Sequence, residues 1–165
     1  WIMEYVPLSE NMEFPANRPI PWIANLSDDC LKNYYSIHWN MPQPYDPKNR
    51  EAVGHPPHMH KENELMYLIG MNPEDPYDLG AEVEICIGRD MQKFTITRSC
   101  CICIPANTPH GFYRIIKADK PWLFVQVQEA NPRTEKFLWE YLTPEQKASI
   151  PERLMEFWKD VGYDE

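Results

Sequence analysis

A chain of 165 residues, 43% hydrophobic and 13% aromatic, is long enough for one domain with a sizeable core and too apolar for disorder. Its formal charge of -9 argues against nucleic acid or an anionic membrane surface as partner, and no apolar run approaches the ~20 residues of a membrane-spanning helix. Trp1-Ile2-Met3-Glu4 lacks the basic start and long apolar segment of a secretory signal, so a cytoplasmic location is expected. The start at Trp1 rather than methionine leaves a longer parent polypeptide open.

Residues 1–33, with Pro7, Pro15, Pro19 and Pro21, are predicted to be irregular and to wrap the outside of the domain. Residues 34–41 alternate polar and apolar positions, the mark of a half-buried strand. A proline-rich loop from Met41 to Pro57 leads to His58-Met59-His60. Glu64-Leu65-Met66-Tyr67-Leu68-Ile69-Gly70 is predicted to be a buried strand, and a long turn over residues 72–80 precedes a hairpin of strands at 81–87 and 92–98. Cys100-Cys101-Ile102-Cys103-Ile104 reads as a buried strand whose thiols act as small hydrophobes. Five cysteines, an odd number, make no disulfide framework and agree with a reducing compartment. The last long strand runs from Trp122 to Gln128.

The tail differs in kind. Phe137, Leu138 and Tyr141 lie at helical spacing within residues 134–142. Thr143-Pro144-Glu145-Gln146 carries the signature of a capped helix start. Pro151 opens a last helix with Leu154, Met155, Phe157 and Trp158 on its apolar side. These helices are expected to pack on the strands or on a second subunit.

The chemistry is concentrated in two segments. Side chains two apart on a strand share a face, so His58 and His60 can point into one interior. Glu64 lies a further even step along, past the turn-like Lys61-Glu62-Asn63, where Glu62 is a rival carboxylate placed in the turn. His110 enters from elsewhere, directly after Pro109. Three imidazoles and a carboxylate suit a divalent transition metal (Fe, Mn, Co, Ni, Cu or Zn) and not the all-oxygen preference of Ca or Mg. His38 and His55 are read as histidines that only hydrogen-bond locally.

These segments resemble the two motifs of the cupin superfamily, G-x5-H-x-H-x3-4-E-x6-G and G-x5-P-x-G-x2-H-x3-N. The match holds at His58, His60, Glu64, Pro105 and His110, while Gly70 comes one residue early. It departs at Ala52 (with Gly54 nearby), Ser99, Asn107 and Arg114, and Asn107 is the mildest change because asparagine tolerates a left-handed backbone. The resemblance covers roughly residues 34–130. It implies an all-β, double-sheet jelly-roll barrel, with residues 1–33 as a wrapping segment and 131–165 as a helical extension of the same domain. One divalent transition metal per chain is implied at His58, His60, Glu64 and His110, with iron as the nominal ion.

If His110 opens an inward register, Phe112, Arg114 and Ile116 follow it on the same face. Arg114 would then be the catalytic or substrate-anchoring cation, beside Met66 and Phe112 as substrate-binding apolar walls. The alternative is an outward Arg114, and an inward one needs a partner such as Glu82 or Glu84, which are otherwise read as solvated. Three readings stay open: a metal-dependent enzyme acting on a small anionic or aromatic molecule, a non-catalytic ligand-binding protein, and a homodimeric module of a larger polypeptide. The first is adopted, nominally as a dioxygenase, with decarboxylase, isomerase and lyase chemistry as alternatives. Six tryptophans exceed what a small barrel readily buries, so a two-fold homodimer is expected.

Overall fold

The computed structural model describes residues 32–163, together with the backbone of three short strands ahead of them, β1 (Glu13–Phe14), β2 (Arg18–Pro19) and β3 (Trp22–Asn25). The strands that follow are β4 (Tyr34–Asn40), β5 (His58–Met59), β6 (Glu64–Gly70), β7 (Asp78–Ile87), β8 (Gln92–Arg98), β9 (Cys100–Ile104), β10 (His110–Ala118), β11 (Trp122–Gln128) and β12 (Lys136–Phe137). With β3 they form two five-stranded antiparallel sheets, ordered β3-β4-β11-β6-β9 and β12-β5-β10-β7-β8, and β1 pairs with β2 apart from them. Neighbours in the sheets are rarely neighbours in sequence, which is the double-sheet jelly-roll arrangement.

Alternation builds the core. Met66 and Leu68 of β6, Leu79, Ala81, Val83 and Ile85 of β7, Ile104 of β9, and Trp122 and Phe124 of β11 meet between the sheets. At ~25 cal/mol per Å2 of apolar surface removed from water, this interior is the main force closing the two sheets. A second apolar cluster lies outside it. Val53, Phe137, Leu142, Ile150, Leu154 and Trp158 pack together, with Phe112 against them. This cluster seats helices α2 (Pro144–Ser149) and α3 (Glu152–Phe157) on the barrel's own strands, and a short α1 (Lys48–Glu51) sits in the loop before β5. The expected capping box is present, with Gln146 N–H donating to Thr143 Oγ1 and Thr143 N–H to Gln146 Oε1.

Several expectations are corrected. Residues 22–25, read as irregular, pair with β4 and extend its sheet, and Glu13–Phe14 pairs with Arg18–Pro19, while most of the remaining expected wrapping segment, Cys30 included, lies outside the described residues. Residues 134–142 do not form an α-helix. Lys136–Phe137 is a strand paired with His58–Met59, followed by a single 3-10 turn at Trp139–Tyr141. Strand pairing to β5 overrides a helical spacing of only three apolar residues. Phe157 is 58% exposed, so the apolar side of α3 is Leu154 and Trp158 with a half-buried Met155. Cys101 and Cys103 are exposed, because β9 is a sheet edge and their side chains face outward.

A candidate metal centre

The four predicted ligands converge. Across the second sheet His110 is the direct partner of His58, and across the first Glu64 pairs with both Ile104 and Gln128. Ligand atoms of His58, His60, Glu64 and His110 all lie within 4.8 Å of one another, and each of these side chains is buried. Such a group can hold a metal ion.

The histidines are oriented by backbone. Nδ1 of His58 donates to Pro56 O at 2.7 Å, Nδ1 of His60 to Thr134 O at 2.5 Å, and Nδ1 of His110 to Thr108 O at 2.9 Å. A carbonyl only accepts, so each Nδ1 carries a proton and each Nε2 faces the cluster, the arrangement that fixes a metal-binding tautomer. Glu64 Oε1 accepts from Gln126 Nε2, which turns Oε2 inward, 2.8 Å from His110 Nε2 and 3.6 Å from His60 Nε2. His110 Nε2 and Glu64 Oε2 attract one another as an ion pair, and neither has a regular hydrogen-bond partner. Two orphaned buried atoms aimed at a common point fit a cation between them.

Charge follows the same geometry. Burial, then the neighbouring His110 and His55, push the His58 imidazole well below its ordinary value, and burial lowers His60 as well. Burial also opposes charge on His110 and Glu64. Their mutual attraction outweighs it, raising His110 and holding the Glu64 carboxyl down to about 2. Without an ion, the pair therefore favours the protonated form of His110 beside an ionised Glu64.

Residues outside the motifs complete the surroundings. Glu135 is buried, with Oε1 3.9 Å from Nε2 of both His55 and His58, and its Oε2 pairs with Arg133 at 3.1 Å. His55, His58 and Glu135 form a second group able to hold a metal ion. Burial raises the Glu135 carboxyl to about 7 and lowers His55 to about 3. Glu62, the rival carboxylate, instead accepts from Thr134 N–H and Thr134 Oγ1–H, both at 2.7 Å, and so ties the turn to the carbonyl that orients His60. His38 lies in β4 rather than a loop, bonded to Ser36 and edge-on to Phe124. Gln126 and Gln128 were not singled out in the sequence. Two glutamines at alternate positions of the otherwise apolar Trp122–Gln128 were the available signal.

Met66 shares the inward face with Glu64. Phe112 and Arg114 do not join His110 as expected. Between Gly111 and Arg114 the pairing with β7 shifts by one residue, a β-bulge in which Phe112 takes a left-handed φ of 47°. The alternation reverses there: Tyr113 and Ile115 pack on the core, Phe112 packs on the outer cluster, and Arg114 pairs across the outer face with Glu84. Arg114 Nη2 is 3.4 Å from Glu84 Oε2, and its Nη1 donates to Arg50 O and Ala52 O. Glu84, read as solvated, is 1% exposed and also binds Arg50 at 2.6 Å. Arg114 is thus placed as a strut between β7 and the loop before β5. Arg114→Met should cost about 2 kcal/mol of stability in denaturant unfolding and leave metal uptake unchanged; a loss of uptake at unchanged stability would return Arg114 to the centre.

No family model matches the chain, and no curated protein matches it in sequence. Among solved structures it is similar to a cupin-like protein of Thermotoga maritima (TM-score 0.47, 12% identity, 79% of this chain and 84% of that one). It is also similar to a Klebsiella pneumoniae protein with a double-stranded β-helix domain (0.44, 10%, 70% and 81%). A third is Lactobacillus farciminis oxalate decarboxylase in a formate complex (0.46, 15%, 84%), of which the chain spans only 39%. By its own topology the chain is a double-sheet jelly-roll barrel, and the order of its histidine and glutamate segments resembles that of the cupin motifs. Among the described residues no helix is long and apolar enough to cross a membrane.

Proposed function

We propose that this chain is a metal-dependent enzyme of the cupin type, holding one divalent transition metal through His58, His60, Glu64 and His110 and acting on a small molecule. The observation that carries the reading is the approach of His60 Nε2 and His110 Nε2 to a buried Glu64 oxygen that makes no hydrogen bond, with His58 in the same group and all three imidazoles held through Nδ1. A metal bound there supplies a Lewis acid with about two positions for water or substrate. The chain's own residues do the rest. Thr134 O, Pro56 O and Thr108 O hold the imidazoles in place, Gln126 aims Glu64, and Met66 gives the interior an apolar wall.

Oxygen insertion is the reaction class assigned first, with iron as the ion to try first, since histidine and carboxylate ligands with free positions suit both. With Arg114 turned outward, an anionic substrate would have to be held by the ion itself, which weakens the anionic part of the original expectation. Elemental analysis of protein purified without chelator or affinity-tag nickel should give close to one transition metal per chain. Dioxygen uptake by iron-loaded protein with small hydroxylated aromatics separates oxygen insertion from decarboxylation, isomerisation and elimination. Stoichiometric metal with no turnover of any probe would favour the ligand-binding reading.

A homodimer is proposed on a different observation. The outward face of the β4-β11-β6-β9 sheet presents the rows Trp39–Leu123–Ile69, Ile37–Val125–Tyr67–Cys101 and Tyr35–Val127–Leu65–Cys103, with no charged side chain among them. An antiparallel sheet facing water alternates apolar with polar, so a second copy on this face is the occupant proposed. Sedimentation as a monomer at high concentration would exclude it.

A further inference from the structure

Gln128 carries a buried amide oxygen with no partner, and that sets it apart from Gln126. Both lie on the inward face of β11, where Gln126 stands opposite Met66 and Gln128 opposite Glu64 and Tyr34. Gln126 aims the Glu64 carboxylate. Gln128 is 0% exposed, and its Oε1 has no hydrogen-bond partner. Its Nε2 lies 3.1 Å from Nε2 and 3.3 Å from Nδ1 of His60. Near-equal distances to both ring nitrogens place the amide across the ring, in line with neither lone pair. Nδ1 of His60 is in any case committed to Thr134 O. A buried polar group without a partner costs ~1–3 kcal/mol, which a leucine of similar size would avoid.

We propose that Gln128 is a ligand-orienting residue of the centre, offering its N–H and C=O together to a small hydroxy-carbonyl compound bound beside His60. The inference rests on the metal reading above. The class follows from the chemistry of the lining. A primary amide is neutral and both gives and accepts a hydrogen bond, so it complements a ligand that carries an acceptor and a donor side by side. The nearby cations are otherwise engaged, Arg114 with Glu84 and Arg133 with Glu135. Among the described residues the two arginines named are thus occupied and an anion would be left to the ion itself, whereas an α-hydroxy ketone, hydroxamate or enol can satisfy both ends of the amide at once.

The test uses cobalt(II)-loaded protein titrated with acetohydroxamate, followed by the ligand-field absorption of the ion. Gln128→Leu should retain cobalt(II) affinity within about threefold and weaken acetohydroxamate by about tenfold or more, the usual range for deleting one partner of a buried hydrogen bond. Azide, which brings no donor, should lose less. Equal acetohydroxamate affinity in the two proteins overturns the inference and leaves the metal reading intact. Loss of cobalt(II) by the variant makes Gln128 a prop for His60 and also overturns it. Failure of the wild-type chain to take cobalt(II) removes the metal reading and this inference with it. Gln128→Glu, close in size and lacking the N–H, covers the case in which the leucine variant does not fold: the same loss is expected, and unchanged acetohydroxamate affinity there is equally fatal.

Discussion

His60→Ala and His110→Ala should each lose bound metal, by ~10–100-fold or more in affinity when measured at limiting ion. His38→Ala is the matched control. It is an inward-facing histidine whose burial lowers it to about 4, but it is bonded to Ser36 and stands outside the ligand group. Its variant should keep the ion. The pH dependence carries a second, independent signature. Only His110 of the three histidines is raised, so in the metal-free protein it holds a proton that an incoming ion must displace, while His58 and His60 are already neutral. Affinity should therefore climb as pH rises through the raised His110 value, by up to ~tenfold per unit for one displaced proton, and then level off. The metal-free fold behaves in the opposite sense. The His110 contribution is complete below its ordinary 6.5 and is lost as pH rises through its raised value. The Glu64 contribution is complete above its ordinary 4.5 and is lost as pH falls toward about 2. Undiminished metal in both alanine variants would remove the centre, and a pH-independent affinity would remove the proton from His110.

How much of this could be read from residues alone varies with the range of the interaction that decides each feature. The grouping of His58, His60, Glu64 and His110 was legible because period-two alternation and motif order are local properties. Asn107 was legible for the same reason, and it adopts the left-handed φ of 58° expected where the motif has glycine. Arg114 was not, since a one-residue bulge four positions earlier or later would have reversed the answer, and nothing in Gly111-Phe112-Tyr113 marks it beyond the glycine. The tail was misread between residues 134 and 138 because its partner is β5, far away in sequence, and its spacing mimicked a helix. That error hid a functional point. Thr134 O orients His60, Leu138 N–H donates to Pro57 O, and Glu135 stands against His58, so the extension belongs to the centre rather than decorating the barrel. Glu84 was misread because solvation was inferred from its charge, while the cations that bury it come from a loop and a strand about thirty residues away on either side.

Gly111→Ala should disrupt the centre although it touches no ligand. Gly111 follows His110 with φ of 150°, a conformation that side chains rarely adopt. A Cβ there would lie 2.6 Å from Pro56 O and from Pro57 Cα, and 2.7 Å from Pro57 N. These are backbone atoms that cannot swing aside, so β5 and β10 would have to part. Pro56 O is also the acceptor that fixes His58 Nδ1, and His58 is the direct cross-strand partner of His110. One methyl group thus presses on the support of one ligand from beside another. A loss of about 3 kcal/mol or more is expected from backbone strain and overpacking together, with metal affinity down by ~10–100-fold as for a lost ligand support. Gly88→Ala separates strain from contact. Gly88 also has positive φ, at 86°, but nothing lies within 4 Å of the position its Cβ would take. That variant should lose only about 1 kcal/mol and bind metal as the wild type does. Denaturant unfolding and metal titration of both variants decide the matter: wild-type metal affinity in Gly111→Ala would mean that the approach of β10 to Pro56 and Pro57 does not hold the centre together.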